Sequence, residues 1–161
     1  MIEIRQAEKE DIGHIQRMLE ALAATLGKSE EYKGTVASLA AYGFGDTPAF
    51  EALIAWQRGE PVGLVVYFYE FSTWRGRPGV YVQDLYVADA ARGTGLGRRL
   101  MAVAFSRGAE RGASYMRLSV HDSNRDGLAF YQKLRFCDVV DDTVMVLEGA
   151  ALTALTRGQG G

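Results

Sequence analysis

Hydrophobic and polar residues follow the period of a strand or of a helix over most of this chain. Residues 2–7 alternate as in a strand, and from residue 8 to about 26 apolar residues recur every three or four positions, which predicts an amphipathic helix. A second, shorter helical pattern covers residues 36–42 and ends at the glycines and proline of residues 43–48. The chain therefore begins as one strand followed by two helices.

The next part of the pattern is typical of strands joined by tight turns. Apolar, strand-like runs cover residues 50–56, 62–71 and 80–87, with turn-forming residues at 58–61 and 74–78 between them. The middle run is apolar on both faces, which favours a central strand that is covered on both sides.

The remaining elements alternate. We expect a long helix from residue 96, a strand at 115–120, a helix at 127–134 and final strands at 136–140 and 143–147.

This makes seven strands and four helices in the order β-α-α-β-β-β-α-β-α-β-β, without an internal repeat. We predict a single domain over residues 1–149 and a flexible tail over residues 150–161.

Composition narrows the functional classes. With 161 residues and 48% hydrophobic content the chain suits one compact domain, and a net charge of −2 gives no reason to expect nucleic acid or an anionic membrane as partner. One cysteine excludes an internal disulfide, and with two histidines it cannot form a zinc cluster, so we expect no metal. Since neither a signal peptide nor a membrane span is visible, we expect a cytoplasmic protein.

The most informative segment is a glycine-rich loop between the strand at 80–87 and the helix that follows it. Glycines at 93, 95 and 97 allow backbone N–H groups to converge, and a helix N-terminus adds unpaired donors and a positive dipole end. Arg98 and Arg99 lie in the first helical turn, where a cation is unfavourable unless an anion is bound. The alternative is a simple glycine turn with solvated arginines. Positive charge gathers at Arg92 and, further along, at Arg107.

Spacing excludes two common phosphate loops. No Gly-Lys-Ser/Thr follows the loop, so it is not a P-loop. The dinucleotide pattern Gly-x-Gly-x-x-Gly would need glycine where Arg98 or Leu100 stands.

What remains, Arg92-x-x-Gly95-x-Gly97, resembles the coenzyme A pyrophosphate loop of the GCN5-related N-acetyltransferases, Gln/Arg-x-x-Gly-x-Gly/Ala between a strand and a helix. Asn124, followed by Tyr131 and then Phe136, resembles the second cofactor segment of that family.

Residues 42–50, Trp74 and residues 81–87 resemble more narrowly the diamine (spermidine/spermine and thialysine) acetyltransferase branch. The resemblance extends over about residues 1–148.

This resemblance implies an α/β (α+β) fold with a central, mixed, mostly antiparallel sheet of about seven strands flanked by about four helices. It also implies acetyl-CoA as co-substrate and a homodimer. The implied cofactor-binding residues lie in three places. They are Leu85, Tyr86 and Val87 at a strand edge for the pantetheine arm; Arg92, Gly93, Thr94, Gly95, Leu96, Gly97 and Arg98 in the glycine loop; and Asn124 and Tyr131 in the second segment.

The resemblance implies that Tyr131 gives a proton to the leaving thiolate. The alternative is that Tyr131 only packs with Leu128 and Leu134, which share its helix face. On the acceptor side the resemblance implies Trp74, Tyr81, Gln83 and Asp84 as substrate-binding residues.

This chain departs from the branch at two positions. Gln83 stands where the branch usually carries a glutamate thought to help deprotonate the amine, and Ser72-Thr73 replaces an aspartate before Trp74. Gln83 can only orient a water molecule, and losing two acids weakens the attraction for a polycation, so polyamines are doubtful substrates.

The general base stays open among Asp84, Glu70 and His121. Dense aromatic residues, including Tyr67, Tyr69 and Phe71, line either a substrate channel or a plain core or dimer surface.

We therefore expect an N-acetyltransferase that transfers an acetyl group to the primary amine of a small molecule, diamine-like or amino-acid-like, by direct attack on the thioester. The alternatives are acetylation of a protein or peptide amine and a non-catalytic acyl-CoA-binding domain, which Gln83 supports.

Overall fold

The structure is a computed structural model that describes residues 1–157, and the chain divides after Leu128 into two compact units. The first unit is built on a five-stranded sheet: β1 Ile2–Gln6, β2 Glu51–Gln57, β3 Glu60–Ser72, β4 Arg77–Val87 and β5 Tyr115–Leu118. The helices are α1 Ile12–Thr25, α2 Val36–Gly43, α3 Leu96–Glu110, α4 Arg125–Lys133 and α5 Gly149–Arg157.

The strands lie in chain order, and the first four pair antiparallel while β4 and β5 pair parallel. The turn between β2 and β3 has positive φ at both Arg58 (54°) and Gly59 (82°). Two consecutive residues with positive φ are typical of the type I′ turn, whose twist matches that of a hairpin. The mixed, mostly antiparallel α/β fold predicted from the sequence is confirmed.

Helices cover both faces of the sheet at β3. On one face, Ile15 and Leu19 of α1 form a buried cluster with Ile54 and Leu64. On the other face α3 lies close to β3, since a Cβ atom on Gly63 would lie only 3.1 Å from the side chains of both Leu96 and Leu100. The sequence prediction of a central strand covered on both sides is therefore confirmed.

Five strands are present in the described part of the chain, not the predicted seven. Residues 136–140 and 143–147 are not strands, because a strand exists only where its backbone groups pair with a neighbouring strand, and these residues have no such pairing. Their valines and Met145 are exposed, with Met145 at 88%. A bend with positive φ at Asp141 (77°) separates the two segments.

The second unit begins within α4 and contains α5. Tyr131 closes the end of α4, since its carbonyl accepts from the N–H groups of Leu134 and Phe136, each at 3.0 Å. The first residues of the predicted flexible tail are helical in α5, and residues 158–161 lie outside the described residues. That residues 1–149 act as a single domain stays a prediction. Within residues 1–157, every helix is too short or too polar to cross a membrane.

Candidate functional site

The second half of β4 has an open edge. β4 pairs with β5 only over residues 79–82, because β5 ends at Leu118, opposite Val82. Residues 84–87 of β4 pair with β3 alone among the described residues. The sheet is therefore open along this half of β4.

The hydrogen-bond alternation of an antiparallel pair shows which backbone groups face that edge. The N–H of Ala88 donates to the Val62 carbonyl at 2.9 Å, in register with the pairing of Tyr86 with Leu64. Alternate residues then direct their N–H and C=O groups away from β3. The open edge therefore carries the backbone groups of Leu85 and Val87, but not those of Tyr86, whose side chain packs against the α1 cluster.

The glycine loop leads directly from this edge into α3. Gly93 (φ 75°) and Gly95 (φ 80°) both adopt the left-handed conformation, and a Cβ atom on either would meet nothing within 4 Å. Glycine is thus needed here for its backbone conformation rather than for space. Gly97 lies in the first turn of α3 and is buried.

The N-terminus of α3 is suited to an anion. Its N-cap, Gly95, supplies no side-chain acceptor, and the first turn contains no acidic residue. The first N–H groups of a helix have no partner within the helix, and the dipole makes this end positive. The N–H groups of Leu96, Gly97 and Arg98 therefore form an uncapped cluster of donors beside the open edge.

The arginines near the loop differ in their contacts. Arg92 donates to the Val87 carbonyl at 3.2 Å and forms an ion pair with Asp89 at 3.1 Å. Arg99 donates to the Ile2 carbonyl at 2.9 Å. Arg98 is exposed and forms no ion pair within residues 1–157.

Grouping Arg107 with the loop arginines was wrong. It lies three turns further along α3, where its Nε approaches Glu51 at 3.5 Å. Arg98 in the first turn of α3 and Arg92 in the loop before it are the arginines that stay candidates to meet an anion there, since Arg99 is directed to the Ile2 carbonyl.

The second predicted cofactor segment forms the start and the end of α4. Asn124 caps the helix, since its Oδ1 accepts from the Gly127 N–H at 3.0 Å. Tyr131 lies in the second unit with its ring edge-on to Phe130 and Phe136, at centroid distances of 5.2 and 5.6 Å. Cofactor binding by these two residues, and catalysis by Tyr131, stay predictions.

A β-bulge decides where the two polar residues of β4 point. Asp84 pairs with Val66 and Val82 pairs with Tyr67, which leaves Gln83 as the extra residue. Gln83 is exposed. The bulge reverses the alternation of the side chains. Asp84 therefore lies on the α1 face of the sheet, whereas Val82, two residues earlier, lies on the opposite face.

Asp84 lines a cavity of about 200 Å³ between β4, α1 and the loop that follows α1. The cavity is lined by Leu19, Leu22, Ala23, Leu26, Lys28, Glu31, Tyr32 and Asp84. Burial raises the pKa of the Asp84 carboxyl. Within residues 1–157, this carboxylate accepts no hydrogen bond and forms no ion pair.

The other two candidate bases both make hydrogen-bond contacts. Glu70 accepts two hydrogen bonds of 2.9 Å from the Arg117 guanidinium, and this pairing holds the pKa of Glu70 below its usual range. The Nδ1 atom of His121 lies 2.7 Å from the Ser123 hydroxyl. Asp84 is the candidate that lines the cavity beside α1.

The aromatic residues divide between the two faces of the sheet. Tyr67 and Tyr69 donate hydrogen bonds to Glu51 at 2.8 and 3.2 Å, and Tyr67 is buried, which favours the core alternative for these two residues. The Tyr81 ring stacks on Phe68 at 4.8 Å, on the opposite face.

Trp74 lies at the β3–β4 turn and is 99% exposed. Substrate contacts of Trp74 and Tyr81 stay predictions.

The α1 side of the cavity was not predicted from the sequence. Leu22 and Leu26 belong to the apolar period that predicted the first helix, and no role was predicted for Lys28 and Tyr32. The signal in the sequence was that the apolar residues of the first helix continue beyond those that pack on the sheet. Tyr32 is half-buried and donates to Gln16 at 3.3 Å.

Comparisons with known proteins bear on the family and the fold. A sequence model described as "Acetyltransferase (GNAT) family" matches residues 15–136. The thialysine N-epsilon-acetyltransferase of Bos taurus is 34% identical over 146 residues, covering 86% of this chain and 85% of the relative. That of Mus musculus is also 34% identical over 146 residues, with the same coverage of 86% and 85%.

Among solved structures, an integron cassette protein from V. cholerae superimposes with a TM-score of 0.78 at 19% identity, covering 97% of this chain and 98% of that chain. At that identity the likeness shows the fold.

Proposed function

Because this chain belongs to the GNAT acetyltransferase family, we propose that it is an N-acetyltransferase that uses acetyl-CoA to acetylate the primary amine of a small molecule. The observation that carries this proposal is the uncapped N-terminus of α3 beside the open edge of β4. One feature suits a pyrophosphate and the other suits a peptide-like arm.

The part of the site formed by the start of α3 and the open edge of β4 carries groups that suit coenzyme A. The N–H groups of Leu96, Gly97 and Arg98 would bind the pyrophosphate, with the Arg98 and Arg92 guanidinium groups adding charge. The amides of the pantetheine arm would pair with the backbone groups of Leu85 and Val87. The Leu85 N–H would also stabilise negative charge on the thioester oxygen as the amine attacks.

Two protons must move in the reaction. The ammonium group of the acceptor loses one before attack, and the departing thiolate gains one. We assign the second transfer to the Tyr131 hydroxyl, on the pattern Asn124 to Tyr131 that resembles the family's second cofactor segment. The small-amine acceptor is supported by the relatives, which are named for acetylating the ε-nitrogen of thialysine.

Two other functions remain to be separated by experiment: acetylation of peptide amines and acyl-CoA binding without transfer. Stabilisation by acetyl-CoA in a thermal-shift assay, followed by thiol release with thialysine or another small amine, supports the proposal. Stabilisation without release on any amine indicates a binding domain, and release only with peptides indicates a peptide acetyltransferase.

We further propose a cytoplasmic homodimer, as in the branch the sequence resembles. Sedimentation at micromolar concentration should give twice the monomer mass of 17.6 kDa. A single species of monomer mass would contradict the dimer.

A further inference from the structure

We propose that Asp84 binds the ammonium group of the acceptor and takes its proton. Gln83 cannot take this proton, because its side-chain amide is not a base. This inference rests on the proposed acetyl transfer and assigns its base and its acceptor class. It is carried by the position of the Asp84 carboxylate in the cavity, by its lack of a partner within residues 1–157, and by the engagement of the other candidates.

Position is the first argument. Asp84 and Leu85 are consecutive, so their Cα atoms are about 3.8 Å apart. The Leu85 backbone faces the open edge proposed for the thioester, while the bulge places the Asp84 side chain on the α1 face beside the cavity. An amine bound at Asp84 therefore lies next to the residue, Leu85, whose backbone faces the proposed thioester.

Charge is the second argument. A half-buried carboxylate without a partner is costly, and a bound ammonium group relieves that cost. The charged and titratable groups that share the cavity are Lys28, Glu31 and Tyr32. Lys28 and Glu31 form an ion pair at 3.1 Å, which leaves Asp84 as the uncompensated charge of the cavity. The Tyr32 hydroxyl donates to Gln16 instead, although the nearby carboxylates of Asp84 and Glu20 help to raise the pKa of Tyr32.

Shape and charge together define the acceptor. A cavity of about 200 Å³ is smaller than the roughly 300–1,000 Å³ of typical ligand pockets, so it suits a short molecule. Its wall on α1 is formed by Leu19, Leu22, Ala23 and Leu26. We infer an acceptor arm with one ammonium group on an aliphatic stem, because Glu31 is paired with Lys28 and Asp84 is the carboxylate of this cavity that has no cationic partner within residues 1–157.

The proton balance is simple. The ammonium R–NH3⁺ gives one proton to the Asp84 carboxylate and becomes R–NH2, whose lone pair forms the new N–C bond as the C–S bond of the thioester breaks. The second nitrogen proton leaves the adduct and is balanced by the proton that the departing thiolate takes up to become the thiol. Asp84 then releases its proton to solvent, so the reaction yields amide, thiol and one proton.

The test compares wild type with Asp84→Asn, using n-pentylamine as the probe. At pH 7 we expect kcat/KM to fall about 10²–10⁴-fold, the usual contribution of a general base, with acetyl-CoA affinity unchanged. The variant should regain activity as pH rises toward about 10, because the amine then arrives already deprotonated. Glu60→Gln, an exposed acid at the β2–β3 turn, is the matched control and should behave as wild type.

The same experiment separates failure of this inference from failure of the proposed function. Wild-type turnover with an unchanged pH profile in Asp84→Asn overturns the role of Asp84. A higher kcat/KM for 1,5-diaminopentane than for n-pentylamine overturns the acceptor class. No turnover of any amine by wild type refutes the proposed function itself, and this inference with it. Acetyl-CoA binding by the variant confirms that it is folded.

Discussion

Reversing the charge of Arg98 should change acetyl-CoA binding and protein stability in opposite directions. The substitution Arg98→Glu places an acid in the first turn of α3, where the structure has none. Since Arg98 is exposed and makes no ion pair within residues 1–157, the folded protein loses no contact. An acid at this end of a helix is favourable by about 0.3–1 kcal/mol, so the free energy of unfolding should rise slightly.

Binding should weaken strongly at the same time. A hydrogen bond to a charged group contributes about 1.5–3 kcal/mol, which corresponds to a loss of about 10- to 150-fold in Kd for acetyl-CoA. Repulsion between the glutamate and the pyrophosphate places the expected loss at the upper end of that range. Isothermal titration measures the affinity, and urea unfolding without ligand measures the stability.

Arg99→Glu is the matched control. It adds the same charge change to the same turn, but the Arg99 guanidinium is directed to the Ile2 carbonyl at 2.9 Å and not to the loop. At physiological salt we expect only a weak, screened effect on acetyl-CoA affinity. Equal losses in the two variants, or an Arg98→Glu protein that binds as tightly as wild type, would refute the anion site at the start of α3.

Three further predictions concern the proton donor and the stability of the first unit. Tyr131→Phe should lower kcat about 10²-fold or more at unchanged acetyl-CoA affinity, whereas unchanged kcat in steady-state assays would assign Tyr131 to packing. Glu51→Gln should lower the free energy of unfolding by about 1–3 kcal/mol, because Glu51 accepts from the buried Tyr67 at 2.8 Å, from Arg107 of α3 and from Arg111 just after that helix; an unchanged urea midpoint would contradict this. The hydrogen bond from Arg5 lowers the pKa of Asp11, so its stabilisation is present above the unfolded pKa of about 3.9 and lost as pH falls through the lower folded value. The difference in urea midpoint between wild type and Asp11→Asn should therefore shrink toward pH 2, and a constant difference would contradict the linkage.

The elements predicted correctly from the sequence are those that pack on the sheet, because burial imposes a regular apolar period on them. The apolar stripe of α1 and the doubly apolar run of β3 both lie where the pattern placed them, since each packs on its neighbours in chain order. The final two strands were predicted from apolar alternation alone. Alternation reports which faces a strand would have, but only a pairing partner makes it a strand, and residues 136–147 have none among the described residues.

The part of the candidate site that would bind acetyl-CoA was easier to predict from the sequence than the part that would bind the amine. Gly93 and Gly95 determine the loop locally, and their positive φ angles can be anticipated from residue type. The side chain of Asp84 cannot be placed in that way, because one bulge at Gln83 moves every following residue to the other face. Whether Tyr67 and Tyr69 belong to the core or to a channel could not be decided from the sequence, because the pattern does not say which helix covers which face.

Mass spectrometry of the acetylated product tests the central claim most directly. Wild-type protein is incubated with acetyl-CoA carrying a ¹³C-labelled acetyl group and with thialysine or n-pentylamine. We predict that the label appears on the amine nitrogen in step with release of the free thiol. Label that stays on coenzyme A with every small amine, although acetyl-CoA binds, would contradict the proposed function.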